Sequence, residues 1–372
     1  MMTKVVLSSN VSWSLYNFRR NLIKTLLKND FDVYIVTKSD SYTEKLVELG
    51  CKYINVDIDA SGTNPFSDLV VIMRLCKIYY KIKPDYILNF SPKNNIYSTF
   101  SSYFCNAKII NNIAGLGVAF IRETFISKLI KTMYKFTQHK ADVIFFQNHD
   151  DKNLFLEHGI CKESQVKMLP GSGVDLERFR PSISVDSSKS NKLVFLLVAR
   201  MLYDKGVKYY VDAARILKSR YGSDVEFSLL GFIESDNPSA VSQEIMDSWT
   251  SEGIVNYLGV SDNVENEMEK ASCIVLPSYY REGVPRSLLE AAALGKPIIT
   301  TDSVGCRDAV TDNYNGFLCE PKCLDSLVLA LDKFIQMDFQ TRLVMGNNSR
   351  FKAEAKFDEK IVINKYLSCL QD

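Results

Sequence analysis

Arg200 and Lys205 follow the apolar run Leu193–Ala199, five residues apart, and Gly206 comes directly after the second. Two cations just past a strand suit an anionic ligand such as a diphosphate, although either alone would pass for an ordinary helix-start charge. Further on, Ile274–Pro277 leads into Ser278-Tyr279-Tyr280-Arg281-Glu282-Gly283-Val284-Pro285-Arg286-Ser287-Leu288-Leu289-Glu290. Pro285 fits the first turn of a helix and Gly295 its C-terminal end, which predicts a helix over about Arg286–Leu294. Its N–H groups and positive dipole end make an anion site, approached through Gly283. Glu282 precedes that helix. Glu290 lies within it, among Leu288, Leu289 and Ala291–Ala293, where a carboxylate needs a partner. Two neighbouring ribose hydroxyls would serve.

Residues placed this way need strands to end beside them. Short β-branched runs alternate with amphipathic stretches throughout, the pattern of strand-helix-strand units on buried parallel sheets. The first half offers strands at Lys4–Leu7, Val33–Thr37, Tyr53–Val56, Tyr86–Phe90, Lys108–Asn111, Val143–Phe146 and Val166–Leu169. Helices at Leu15–Leu27, Tyr42–Leu49, Phe66–Lys83, Ile121–His139 and Asp150–Glu157 lie between them. The polar stretch Pro181–Lys192 reads as a linker. After it come strands at Leu193–Ala199, Glu226–Leu230, Val255–Leu258, Ile274–Pro277 and Pro297–Thr301, with a helix near Val207–Lys218. The fold class is therefore α/β, with two doubly wound domains: 1–180, a linker over 181–192, 193–350, and a closing segment 351–372. Ligands of such sheets bind beyond the carboxyl ends of the strands.

Composition sets the outer bounds. The 372 residues include 45 Lys or Arg and 44 Asp or Glu, a formal charge of +1, which argues against a dedicated nucleic-acid binder. Nine scattered cysteines without a C-x-x-C pair point to a reducing compartment, and three histidines in one short region make a His-built metal site unlikely to form. With no apolar run of about 18 residues, a cytoplasmic location is expected. Charge is uneven: residues 1–185 carry 24 basic and 17 acidic side chains (+7), and 186–372 carry 21 and 27 (−6).

Glu282 to Glu290 forms an E-x7-E pattern that resembles the retaining glycosyltransferases of family 4, and GVPRSLLEAAALGKPIITTD resembles their bacterial cell-surface polysaccharide branch. The segments Asn10–Arg19, Asn89–Tyr97, Asn111–Gly117, Phe146–Asn148, Leu169–Phe179 and Ala199–Gly206 resemble that group in order and spacing. The resemblance implies a GT-B fold, two Rossmann-like domains facing across a cleft, with acceptor mainly on the first and nucleotide-sugar on the second. It implies that Arg200 and Lys205 bind the diphosphate, that Glu290 binds the ribose, and that Glu282 with Gly283 binds the transferred sugar. Val284, Pro285, Arg286, Ser287 and Leu289 complete the donor string, with Arg286 a candidate reader of a donor or acceptor group. Gly231 and Gly259-Val260 would border the base, and Gly115 and Gly117 would lie near the donor phosphate. Asn10, Asn17, Lys93 and Asn148 fall on the acceptor side. Phe351–Leu370 would be a helix returning to the first domain.

The implied reaction retains anomeric configuration and needs neither metal nor other cofactor. Arg200, Lys205 and helix-end N–H groups would stabilise the departing nucleotide diphosphate, whose phosphate takes the acceptor proton. Where many relatives carry a histidine near the reacting sugar, this chain has Asn111-Asn112-Ile113, and Asn112 is the candidate for that role. The expected donor is a UDP-sugar carrying a hexose or N-acetylhexosamine, and the expected acceptor a lipid-diphosphate-linked glycan of surface polysaccharide assembly. Two alternatives stay open: a nucleotide-sugar epimerase of the same fold, and a silent sugar-nucleotide-binding protein.

Other signals compete. Asp57-Ile58-Asp59 is a D-x-D of the kind that binds metal-diphosphate elsewhere, but it closes a strand in the wrong domain. Gly115-Leu116-Gly117 lacks the third glycine of a dinucleotide fingerprint. Lys128, Lys131 and Lys135 share one face of the predicted helix Ile121–His139, with Ile126, Leu129, Ile130 and Met133 largely opposite. With Arg74, Lys77 and Lys81, they make peripheral docking on an anionic inner-leaflet membrane an expectation.

Overall fold

A computed structural model describes residues 2–58, 65–116, 120, 125–181 and 192–371. The chain divides into two compact units: the first holds the chain up to Ser172 and again from Val362 onward, and the second holds Gly173–Ile361. Each is built on one fully parallel sheet.

The first sheet comprises β1 (Lys4–Val11), β2 (Asp32–Lys38), β3 (Lys52–Asn55), β4 (Tyr86–Asn89), β5 (Lys108–Ile113), β6 (Val143–Phe146) and β7 (Val166–Met168), in the order β3-β2-β1-β4-β5-β6-β7. The second comprises β8 (Leu193–Val198), β9 (Val225–Leu230), β10 (Asn256–Tyr257), β11 (Cys273–Leu276), β12 (Ile298–Thr301) and β13 (Gly316–Cys319), in the order β10-β9-β8-β11-β12-β13. Strand order reverses between β1 and β4 in one sheet and between β8 and β11 in the other. Loops on either side of such a reversal part and leave a crevice, which is where doubly wound sheets bind ligands.

Helices of the first unit are α1 (Ser12–Lys28), α2 (Thr43–Glu48), α3 (Pro65–Ile82), α4 (Pro92–Ser101), α5 (Phe125–Gln138) and α6 (His149–Glu157). Those that follow are α7 (Val207–Tyr221), α8 (Gln243–Ser251), α9 (Val264–Lys270), α10 (Arg286–Ala293), α11 (Cys306–Ala309), α12 (Leu324–Gln336), α13 (Phe339–Lys352) and α14 (Glu359–Gln371). The two-residue period of a strand explains the layering. In β1, Val5 and Leu7 pack on one face while Val6 packs on the other. In β8, Phe195 and Leu197 face one way and Leu196 the other. Both faces are apolar, as strands covered by helices on two sides must be.

The structure differs from the sequence reading in its boundaries and in elements the reading lacks, α4 among them. The boundary at 180 falls inside the second unit, because Val174 and Phe179 are buried with Leu288 and Phe357. Residues 182–191 of the expected linker lie outside the described residues. The closing segment is not one helix over Phe351–Leu370. After α13 a π-helical turn spans Ala353–Phe357, and α14 then begins. Val174 interrupts the helix there by strand-like pairing, its N–H donating to Phe357 O at 2.8 Å and its carbonyl accepting from Glu359 N at 3.0 Å. Strand β13 has no counterpart in the reading.

Candidate functional site

The loops after β8 and β11 meet beside the reversal of the second sheet. Lys205 reaches across to Glu282, Nζ to Oε2 at 2.5 Å, with both side chains mostly buried. Ser278 Oγ donates to the other oxygen of Glu282, Oε1, at 2.9 Å. Lys205 also stands over the Tyr280 ring, 5.4 Å from its centroid. Burial raises the Tyr280 hydroxyl above its usual range while nearby Arg200 draws it down. Arg200, Lys205, Tyr280 and Glu282 therefore form one charged cluster at the carboxyl ends of two adjacent strands. Arg200 is ion-paired with Glu234, Nη1 to Oε2 at 2.7 Å, and about 40% of its side chain remains exposed. Glu234 had no signature in the sequence, since it lies in an irregular loop beyond β9.

Two glycines make the cluster possible. Gly206 has φ of 78°, and a Cβ there would run into the Pro277 carbonyl, so the loop carrying Lys205 can lie against the end of β11 only with glycine at this position. Gly305 has φ of 84°, and its Cβ would strike the carbonyls of Glu282 and Gly283. The loop after β12 thus buttresses the site from below, with Ser303 Oγ donating to Ser278 O at 3.0 Å. Gly305 and Ser303 were missed, though their place after a strand was the available signal.

Helix α10 starts at Arg286 with Pro285 as its N-cap. Proline has no capping side chain, and Leu288 N donates back to Pro285 O at 3.1 Å. At the other end Gly295, φ 67°, takes the left-handed position expected of it. Val284 and Pro285 are buried, Gly283 likewise, and Ser287 is half-buried. Leu289 is fully buried in the core under the helix with Leu288, so its side chain packs rather than faces a ligand. Glu290 accepts from Arg286 Nε at 2.9 Å, and Arg286 Nη1 donates to Gly173 O at 2.6 Å. Burial holds the Glu290 carboxyl above the usual carboxylate range, while Arg286 and Arg178 pull it back down. Arg178 is itself bidentate to Glu265, at 3.3 and 2.9 Å. Gly231 N donates to Gly259 O at 2.8 Å, which brings those two loop glycines together beside β9, and Val260 next to them is 69% exposed.

In the first unit a second polar cluster sits at the reversal between β1 and β4. Ser91 Oγ donates to Asn10 Oδ1 at 2.8 Å and also bonds Asn94 Oδ1, and Asn94 Nδ2 donates to Ser8 Oγ at 2.6 Å. Lys93 pairs with Asp68 at 3.4 Å. Asn17 lies one turn into α1 and donates to Trp13 O at 3.0 Å. Asn148 caps α6, its Oδ1 accepting from Asp151 N at 2.7 Å. Asn112 is buried within β5, its Oδ1 accepting from Gln147 at 3.4 Å while Nδ2 has no hydrogen-bond partner among the described residues. Gly115 follows β5 with φ of 108°. Gly117 lies outside the described residues, as does Asp59 of the D-x-D. Asp57 pairs with Lys38 at 3.2 Å. Among the described residues no group of three His, Cys, Asp or Glu side chains is arranged to hold a metal ion.

Comparison with known proteins agrees with this geometry. Residues 180–352 match the family described as glycosyl transferases group 1, and residues 4–148 match that described as glycosyl transferase 4-like. The N,N'-diacetylbacillosaminyl-diphospho-undecaprenol alpha-1,3-N-acetylgalactosaminyltransferase of Campylobacter jejuni is 30% identical over 96% of this chain and 96% of its own. The UDP-Gal:alpha-D-GlcNAc-diphosphoundecaprenol alpha-1,3-galactosyltransferase of Escherichia coli is 24% identical over 88% of this chain and 86% of its own. Among solved structures, HepE of Anabaena in complex with UDP has a TM-score of 0.78 at 16% identity, with all of both chains covered. Sucrose-phosphate synthase of Thermosynechococcus elongatus reaches 0.82 at 16% identity, covering 99% of this chain and 98% of its own. At such identities the structural likeness shows the fold, which is GT-B. The end-to-end match at 30% identity shows more: this chain belongs to the family 4 type of GT-B glycosyltransferases.

Proposed function

We propose that this protein transfers a hexose or N-acetylhexosamine from a UDP-sugar to a lipid-diphosphate-linked glycan during assembly of a surface polysaccharide. The observation that carries this is the cluster of Arg200, Lys205 and Glu282 at the reversal of the second sheet, before the start of α10. Cations and N–H groups fixed in advance stabilise the charge that develops on a departing diphosphate without reorganising at that moment. Glu290 would accept from the ribose hydroxyls, and Glu282, already accepting from Lys205 and Ser278, would orient the sugar. The named activities of the relatives support both the donor and the lipid-linked acceptor. In the first-unit cluster Ser8, Ser91 and Asn94 are buried and bond one another, and half-buried Asn10, which they hold, is the neutral group that would meet a glycan acceptor.

Transfer is proposed to retain configuration and to run without metal, the phosphate oxygen of the leaving group taking the acceptor proton as the new glycosidic bond forms. The full-length matches to transferases weigh against the epimerase alternative. We also place the enzyme on the inner leaflet of the membrane. No helix among the described residues is long and apolar enough to cross one. Helix α3, however, exposes Leu69, Val70 and Met73 beside exposed Arg74 and Lys77, and α5 exposes Leu129 and Phe136 beside Lys128 and Lys135. Apolar groups bordered by cations suit an anionic lipid surface.

The test is transfer from a panel of UDP-sugars to a diphosphate-linked glycan lipid, with the product's anomeric configuration read by NMR and chelator present throughout. An α-linked product from an α-linked donor, formed in chelator, supports the donor, the acceptor, the retained configuration and the independence from metal. Free UDP release with no acceptor modified, or epimerised donor, refutes it.

A further inference from the structure

The sequence suggests Arg286 as a reader of the donor or acceptor, yet its guanidinium is committed elsewhere. Nε donates to Glu290 Oε1 at 2.9 Å and Nη1 donates to Gly173 O at 2.6 Å, with only about 15% of the side chain exposed. The two partners lie in different segments, α10 itself and the stretch leading out of the first unit's last strand. A planar guanidinium holding one carboxylate oxygen and one backbone carbonyl has little rotational freedom left, and it fixes the carboxylate in turn. Arg178 and Glu265 pair bidentately nearby. Around Glu290 the charged groups are thus Arg286 on its own helix, Arg178 on the segment after Gly173, and Glu265 on α9. Since the Arg178–Glu265 pair is neutral overall, Arg286 is the cation that answers Glu290.

We infer that Arg286 is a positioning residue: it fixes the Glu290 carboxylate to accept from a ribose and does not itself touch the donor. The inference rests on the proposed role of Glu290 in nucleotide binding. Burial already favours the neutral acid at Glu290, and a protonated carboxyl loses an acceptor site, so the ion pair also keeps the group competent as pH falls.

The experiment measures binding of UDP and of inorganic diphosphate, which has no ribose, to wild type, Arg286→Met, Arg286→Lys, Glu290→Ala and the double variant Arg286→Met/Glu290→Ala. Arg286→Met should weaken UDP by roughly ten- to a hundredfold and leave diphosphate unchanged, which also certifies that the variant is folded. In the Glu290→Ala background the same change should cost nothing further. The acid limb of UDP binding should move to higher pH in Arg286→Met, making its deficit larger near about pH 6 than near about pH 8.5. Arg286→Lys keeps the charge and should restore the acid limb with part of the affinity. Equal losses with and without Glu290 would mean that Arg286 contacts the nucleotide directly, and unchanged UDP binding in Arg286→Met would mean that it does nothing there. Either result overturns the inference alone. Failure of the wild type to bind UDP overturns the parent reading together with it.

Discussion

Lys205 Nζ and Glu282 Oε2 stand 2.5 Å apart although 77 residues separate them in sequence, one at the end of the loop after β8 and the other after β11. The cation expected to meet a diphosphate is therefore paired with the carboxylate expected to meet the sugar. On the proposed reading, a donor entering this site would share Lys205 with Glu282, so its diphosphate and the sugar joined to it would meet groups that already constrain each other.

Lys205→Ala should show this coupling in two measurements. Loss of one preorganised charge-stabilising donor costs about a hundred- to a thousandfold in turnover. The variant also leaves Glu282 largely buried with its cation gone, so thermal unfolding should shift downward as well. Lys205→Ala/Glu282→Gln should recover stability without recovering activity. Recovery of both would show that Lys205 serves only to neutralise Glu282.

Gly206→Ala tests the backbone that brings those groups together. The left-handed conformation and the collision with the Pro277 carbonyl should together destabilise the protein by more than about 2 kcal/mol. Gly253→Ala is the control. Its φ is 70°, but a Cβ there meets nothing within 4 Å. Chemical denaturation should show the smaller loss at Gly253, and equal losses would mean that close approach at Gly206 is unimportant.

Lys352 is 8% exposed, donates to Thr311 Oγ1 at 3.1 Å, and is pulled down to about 8 by burial and by neighbouring Lys356. Between that value and the ordinary lysine range, the unfolded chain holds a proton that the folded one has released, so stability should rise with pH across this window. Below about pH 8 the folded protein carries the full cost of a buried charge, on the order of 3 kcal/mol. Lys352→Met should flatten the rise in Tm between about pH 8 and pH 10. An unaltered slope in that variant would assign the effect to other groups.

Membrane docking is tested by flotation with vesicles of anionic and of neutral lipid. Wild type should float with the anionic vesicles, and changing Lys128, Lys131 and Lys135 together to Glu should abolish it, with raised salt acting in the same direction. Leu69→Ser/Met73→Ser should weaken flotation without changing its salt dependence. Unchanged flotation in the charge variant would rule out α5 as the docking face.

The sequence by itself determined the architecture and singled out the candidate anion site. Apolar runs such as Leu193–Ala199 can be buried on both faces only in a helix-covered parallel sheet, and Pro285 and Gly295 marked the limits of α10 to within a residue. Arg200, Lys205, Glu282 and Glu290 were legible as candidates because ligand-binding groups in such sheets are sought just beyond strands, and strands are found from local pattern. A weakly patterned element was not legible: β13 is four residues entered from a turn at Asn313, whereas β10, only two residues long, falls within the strand expected at Val255–Leu258. The partnerships were decided by tertiary structure alone. Glu234 against Arg200, Lys205 against Glu282, and Gly305 beneath Gly283 join loops separated by tens of residues, and no local periodicity records such distances. Arg286 shows the limit best: its type and place on the helix announced a cation available to a ligand, and only the position of Gly173 and the burial of Glu290 turned it inward.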